Sequence, residues 1–317
     1  MIEMTITRHN HLIDPHLHIW EWQIPIYLFL GGLAAGLIIL SAVFQLLNKE
    51  EQFSRTIKFG SLLAPVVISL GMLMLLLDLG YKLHVFRFYM AFKPTAAMSW
   101  GAWILVGIYP ANALFIAGVW DLPKKFPQGK IRQLLETIRA FAKKHLSVIS
   151  KVNFVFGVGL GIYTGVLLST FVAMHLWNSG LLGPLFLVSG ASSAVALSVL
   201  MEKEHRAKGI LSSIDQYLIL GEILFLALLL IDLSSGCQMN QCAARFLISA
   251  EFSVFFWVGV VGLGLLAPLA IEMTARRTGS HTMTWIAPIM VLGGGLALRF
   301  LFVVVGQAVT CVQKGIL

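Results

Sequence analysis

Apolar runs of about 20 residues, each long enough to cross a hydrocarbon layer of about 30 Å as a helix, recur through this chain. They fall at 24–47, 57–79, 98–120, 149–170, 181–201, 214–235, 248–272 and 284–309. Lipid offers no partner to backbone N–H and C=O groups, so a run that crosses it must close its hydrogen bonds internally, as a helix does. Only 12% of the 317 residues are charged and 58% are hydrophobic, too few charges to clothe a soluble globule of this size. The expected fold is an all-α polytopic membrane protein with eight transmembrane helices.

The formal net charge is +8, but the placement of Lys and Arg carries more information than their sum. They concentrate after the first, third, fifth and seventh spans, above all in 121–148, a segment of helical character. By the positive-inside rule these loops are cytoplasmic and both termini lie on the outer side. Cys237, Cys242 and Cys311 then fall on that outer side, where a disulfide is chemically permitted, and Cys237 with Cys242 could staple the sixth-to-seventh loop. In the N-terminal tail His9, His11, His16 and His18 with Asp14 match no tight ligand spacing, so no metal site is expected. Trp20 and Trp22 mark the membrane interface.

An internal duplication is visible. PLFLVSGASSAVALSVL in the fifth span parallels PIYLFLGGLAAGLIIL in the first, with Pro184 opposite Pro25, Gly190 opposite Gly31 and Ala194 opposite Ala35. LLLIDLSSG at 228–236 parallels LLLDLG at 75–80, which sets Asp232 opposite Asp78; GGGLALR parallels GVGLGIY, which sets Arg299 opposite Tyr163. Three matches in the same order suggest two parallel repeats. The expected organisation is an outer tail 1–23, a four-helix bundle 24–170 containing the basic loop 121–148, a second bundle 181–309, and an outer tail 310–317. Gly31, Gly32, Ala34, Ala35 and Gly36, and Gly157, Gly159, Gly161 and Gly165, form small-residue faces that let backbones approach.

Ionisable residues inside the spans are costly, at about 2.5–3.5 kcal/mol for an acid at a helix centre, and so mark function. The sixth span holds Asp215, Glu222 and Asp232. Glu222 lies about 12 Å into that span, and Asp215, two turns earlier, shares its face. Glu222 reads as a proton-transfer residue with Asp215 as its inner relay; the rival reading is a permanent ion pair with Arg299. Arg299 is too deep to be a topology signal and requires an acceptor among Asp78, Asp232 and Glu222. Tyr27 and Tyr163 are hydrogen-bonding groups within the spans, Asp78 sits just inside the outer interface, and Glu251 and Glu272 read as interfacial. The stretch 80–97 is rich in aromatics and short of acids, which suits an interface beside a protein partner or a lipid-soluble ligand.

No phosphate-binding glycine loop, HExxH or nucleophile triad occurs, and the histidines lie in tails, loops or at a helix end, where they are poorly placed as haem ligands. WEWQIPIYLFLGGLAAG, RFYMAFKPTAAMSWGAW, IYTGVLLS, SGASSAVALSVL and GGGLALRFLFVVVGQ, in that order, resemble the NrfD family of polysulfide reductase membrane subunits over nearly the whole chain. The resemblance implies a non-haem, quinol-reactive subunit in a bacterial inner (cytoplasmic) membrane, not catalytic alone, with both termini periplasmic. It also implies menaquinone or a related quinone as the electron carrier, an iron–sulfur subunit docked on the outer face, and a molybdopterin catalytic subunit beyond that. It further implies an outer-side quinone pocket containing Tyr27, Asp78, Tyr163 and Arg299. The residues are consistent with this: Tyr27, Tyr163 and Arg299 supply donors for two carbonyl oxygens, Asp78 an acceptor, and Glu222, Asp215 and Asp232 a route for protons. The competing classes are a secondary transporter, which would need helices broken at the midplane, and a passive membrane anchor.

Overall fold

The computed structural model describes residues 20–90, 92–121, 129–171, 174–249, 252–278 and 281–308. Its long helices are α1 (Gln23–Leu46), α2 (Ser54–Asp78), α4 (Ala97–Val119), α6 (Leu146–Ser169), α7 (Leu182–Met201), α8 (His205–Ser235) and α11 (His281–Ala308). Three shorter ones, α3 (Arg87–Met90), α5 (Lys130–Lys144) and α9 (Gln238–Ser249), lie in the connections, and α10 (Ala267–Thr278) continues a π-helical segment, Phe255–Leu266. Eight helices are long and apolar enough to span a membrane, and no strand occurs among the described residues. The protein is a multi-pass membrane protein, as its hydropathy dictates.

Three elements differ from the sequence expectation. The sixth helix starts at His205, nine residues before its apolar run, because a helix leaving lipid can continue through polar residues in water. The seventh span is π-helical over Phe255–Leu266, where Gly259, Gly262 and Gly264 leave room for a wider turn and Gly264 lies against Gly294 of α11. The sixth-to-seventh connection contains α9 rather than a stapled loop: Cys237 is a free, exposed thiol, and the disulfide-bonded Cys242 is buried. The Cys237–Cys242 bridge is therefore corrected; Cys311 and the tail histidines lie outside the described residues.

α1 is the hub, packing on α2, α6, α7 and α11, while α7 packs on α1, α6, α8 and α11. Its crossing with α7 is set by glycines. A methyl group on Gly36 would lie 2.5 Å from the Gly190 carbonyl oxygen and 2.6 Å from Ala194 Cβ, and one on Gly190 would lie 2.5 Å from the Gly32 oxygen. Such approach lets backbone dispersion replace the hydrophobic drive that lipid cannot supply between helices. At the end where the basic connections lie, called here the basic end, Glu202 after α7 caps α2, accepting from Thr56 N at 2.9 Å and Thr56 Oγ1 at 2.8 Å. At the opposite end Gln307 of α11 holds the entry to α1: its Nε2 donates to Trp20 O at 2.9 Å and its Oε1 accepts from Trp20 N at 2.8 Å. Trp20 is half-buried and stacks on Trp177, with ring centroids 5.1 Å apart; Trp22 is exposed.

Candidate functional site

At the end opposite the basic connections a cavity of about 240 Å³ opens between α1, α2, α4 and α6, beneath the surface segment 79–90. Its walls are apolar, with Ile24, Met72, Leu75, Leu105 and Leu167, and its polar groups are few: Tyr27, Asp78, Tyr89 and Tyr163. That combination of apolar lining and a small number of convergent polar groups is the ordinary form of a small-molecule site.

Each polar group is placed by local sequence. Tyr27 is held in the first turns of α1, 5% exposed, where α2 comes close at Gly71. Tyr163 of α6 is 8% exposed and lies flat against α4 at Gly101, where any side chain would occupy the space of its ring. Asp78, the last residue of α2, is half-buried at the mouth, close enough to Glu21 to interact with it electrostatically. Tyr89 sits on the short helix α3 above Tyr27; burial, with Tyr109 adding to it, pushes its phenol above the ordinary value, so it stays a neutral donor. Sequence reasoning missed Tyr89 as an individual residue, although the aromatic stretch around it was the available signal.

A second concavity of about 730 Å³ lies beside the first, sharing Leu79 and Met98 with it and rimmed by His84, Arg87 and Lys93. Around it Tyr81, Leu83 and Met90 are 81%, 88% and 78% exposed, an unusual display of apolar surface at a membrane boundary.

Arg299 is not among the cavity-lining residues. It is fully buried where α11 meets α7 and α1; its guanidinium donates to Ser189 Oγ, to Gly295 O at 2.9 Å and to Phe186 O at 3.1 Å, and lies over the Phe186 ring. One of its nitrogens is 3.3 Å from where a Gly32 methyl would be, so a side chain there would press on the guanidinium. Ser189 in turn donates to Glu222 of α8, itself 4% exposed and electrostatically coupled to Arg299. Two turns along α8, the wholly buried Asp215 accepts from Ser192 Oγ at 2.6 Å. Residues of α7, α8 and α11 thus form a buried polar line, Arg299, Ser189, Glu222, Ser192 and Asp215, none of which lines the cavity. Asp232 stands apart from this line: it is exposed at the far end of α8, where it accepts from Ser179 Oγ at 2.7 Å.

The family model for polysulphide reductase, NrfD, matches residues 9–311. The chain belongs to the NrfD family. Among NrfD relatives it is 30% identical over 303 residues to the C chain of polysulfide reductase from Wolinella succinogenes, covering 91% of this protein and 94% of that one. It is 27% identical to protein NrfD of Escherichia coli, covering 91% and 95%. It is 22% identical to the C subunit of selenate reductase from Mesobacillus selenatarsenatis, covering 90% and 73%. Among the described residues of this NrfD protein, no three His, Cys, Asp or Glu side chains converge as metal ligands.

Proposed function

We propose that this protein is the quinone-reactive membrane subunit of a polysulfide reductase-type oxidoreductase complex, exchanging electrons between menaquinol and an iron–sulfur subunit seated over the cavity. A molybdopterin subunit would lie beyond it. The observation that carries this reading is the cavity itself: a narrow apolar space at membrane depth into which three phenols and a carboxylate converge. A quinone headgroup is an apolar ring with two carbonyl oxygens, and Tyr27, Tyr89 and Tyr163 offer donors at its depth while Asp78 offers an acceptor at the mouth. Oxidising a quinol releases two electrons and two protons. Asp78, half-buried and facing the mouth, can take a proton from a hydroxyl and return it to solvent. The phenols hold the ring in place, and the walls of Ile24, Leu75, Leu105 and Leu167 keep water from it.

In this reading the basic end is cytoplasmic, the cavity is on the periplasmic side of the inner membrane, and the exposed aromatic surface around Tyr81, Leu83 and Met90 is the dock for the iron–sulfur partner. Glu222 and Asp215 form a route by which protons move between the buried polar line and the cytoplasmic side, with Arg299 holding α1, α7 and α11 around it. Ser189 accepts from Arg299 and donates to Glu222, so it bridges the guanidinium to the carboxyl and fixes the orientation of Glu222 within the route.

Quinone extraction from the purified complex, followed by photolabelling with an azido-quinone, tests the central claim. Labelled peptides are expected from 20–27, 72–89, 98–105 and 163–167. Labels confined to the basic end would overturn the assignment. Cysteine crosslinking from 81–90 is expected to capture the iron–sulfur partner; capture from 130–144 alone would overturn the dock.

A further inference from the structure

Glu272, which reads from sequence as an interfacial acid, is only 3% exposed. It projects from α10 toward α8, and its carboxyl is in hydrogen-bonding contact with that of Asp215. Asp215 Oδ1 is already taken by the Ser192 hydroxyl, and Oδ2 is buried with no N–H or O–H donor of the ordinary kind among the described residues. Ionised carboxylates only accept, so two of them in contact need a proton between them. On its other side Glu272 lines a cavity of about 330 Å³ at the basic end, formed by α8, α10 and α11. His205, Arg206 and Gly209 at its rim are exposed, so the cavity opens to solvent there. At about 30 Å³ per molecule it has room for on the order of ten waters.

One residue therefore joins a water-accessible cavity to the buried acid of the polar line. We propose that Glu272 is the entry residue through which protons pass between the aqueous phase at the basic end and Asp215, the two carboxyls sharing one exchangeable proton. Glu272 takes a proton from water in the cavity and the shared proton passes to Asp215; in the opposite direction Asp215 returns it and Glu272 releases one to water. No electron moves in this step. The charged and titratable groups around the pair are Glu222 on α8, which is itself coupled to Arg299 on α11, and the residues His205, Arg206 and Lys208 that line the cavity with Glu272.

The internal duplication supports a dedicated function for this line. On the alignment of the two halves, Ser189, Ser192, Asp215 and Glu222 stand opposite Leu30, Leu33, Ser61 and Ile68. The scaffold is thus built in the first half with apolar groups at three of these four positions, so packing alone does not require the acids. The first half keeps the ligand cavity, and the second carries the polar line. That line reaches α1 at Gly32, about 7.5 Å along the helix axis from Tyr27.

This inference rests on the proposed proton route and is tested in the whole complex reconstituted in liposomes, with a pH-sensitive dye on the basic side. Glu272→Gln is expected to lower quinol-dependent proton exchange at that face on the order of a hundredfold while quinone remains bound, and Glu272→Asp to restore most of it. An infrared band of the proton-sharing carboxyl pair is expected in the unaltered complex, and Glu272→Gln is expected to shift it, because Asp215 then has no carboxyl to share its proton with. Unchanged proton exchange in an assembled Glu272→Gln complex, or a carboxyl spectrum that the substitution leaves unaltered, would overturn the proposal. If Glu272→Gln fails to assemble, carbodiimide labelling of the unaltered complex decides: modification at Glu272 or Asp215 supports a shared proton, and its absence from both refutes it. A complex without quinol-dependent turnover would defeat the quinone reading, while the infrared and carbodiimide results would still report on the pair.

Discussion

The residues that matter most here are polar groups held where hydropathy alone would place aliphatic ones. Tyr27 and Tyr163 are buried phenols, and replacing either by Phe removes a donor without changing the ring that fills the wall. Each change is expected to weaken quinol binding by about 1 kcal/mol, or about fivefold in KM, with assembly intact. Glu222→Gln keeps size and hydrogen bonding to Ser189 but cannot carry a proton; an assembled complex with quinone bound and strongly reduced turnover is expected, and normal turnover would reject the relay. Arg299→Leu differs in kind. It strips the donors from Phe186 O and Gly295 O and leaves Glu222 without its counter-charge, so it is expected to destabilise the protein by about 3–5 kcal/mol, read as a lowered Tm in detergent.

At the scale of elements, small residues decide which helices meet. Gly294 and Gly293 are neighbours on α11, yet a methyl group on Gly294 would collide with Gly264 backbone whereas one on Gly293 meets nothing within 4 Å. Gly294→Ala is therefore expected to cost about 1–3 kcal/mol by forcing α11 from the π-helical segment. Gly293→Ala should be neutral or stabilise by about 0.5–1 kcal/mol, since alanine loses less entropy in a helix; thermal unfolding of the two variants side by side checks the sign. Gly101→Ala tests the cavity by the same logic. Its methyl would take the place of the Tyr163 ring, so quinone affinity is expected to fall even though no polar group is removed.

The proposed topology sets Cys237, exposed after α8, on the periplasmic side. A membrane-impermeant maleimide applied to whole spheroplasts is expected to label it, and labelling only after the membrane is inverted would reverse the topology. The elements differ in content: α1, α2, α4 and α6 surround a space, whereas α7, α8, α10 and α11 bring ionisable side chains together.

The sequence by itself determined the eight spans, the helical segment in 121–148 and the glycine faces, because hydropathy and the demand for internal backbone hydrogen bonds act locally and leave one solution. It also carried the identity of the buried groups, since an acid or guanidinium deep in an apolar run is conspicuous wherever the helix ends up. Tertiary structure alone decided the company those groups keep. Arg299 lies opposite Tyr163 in the duplicated pattern, yet it turns to Ser189 and Phe186 of α7 instead of the cavity, because the rotation of α11 is fixed by its glycine contact with the π-helical segment. Tyr89 joins the site from a surface segment with no periodic signal, and Glu272 is drawn inward to Asp215 by the packing of α10 on α11 and α8. Depth can be counted along a helix at 1.5 Å per residue; the direction a side chain faces depends on which neighbour its helix packs against.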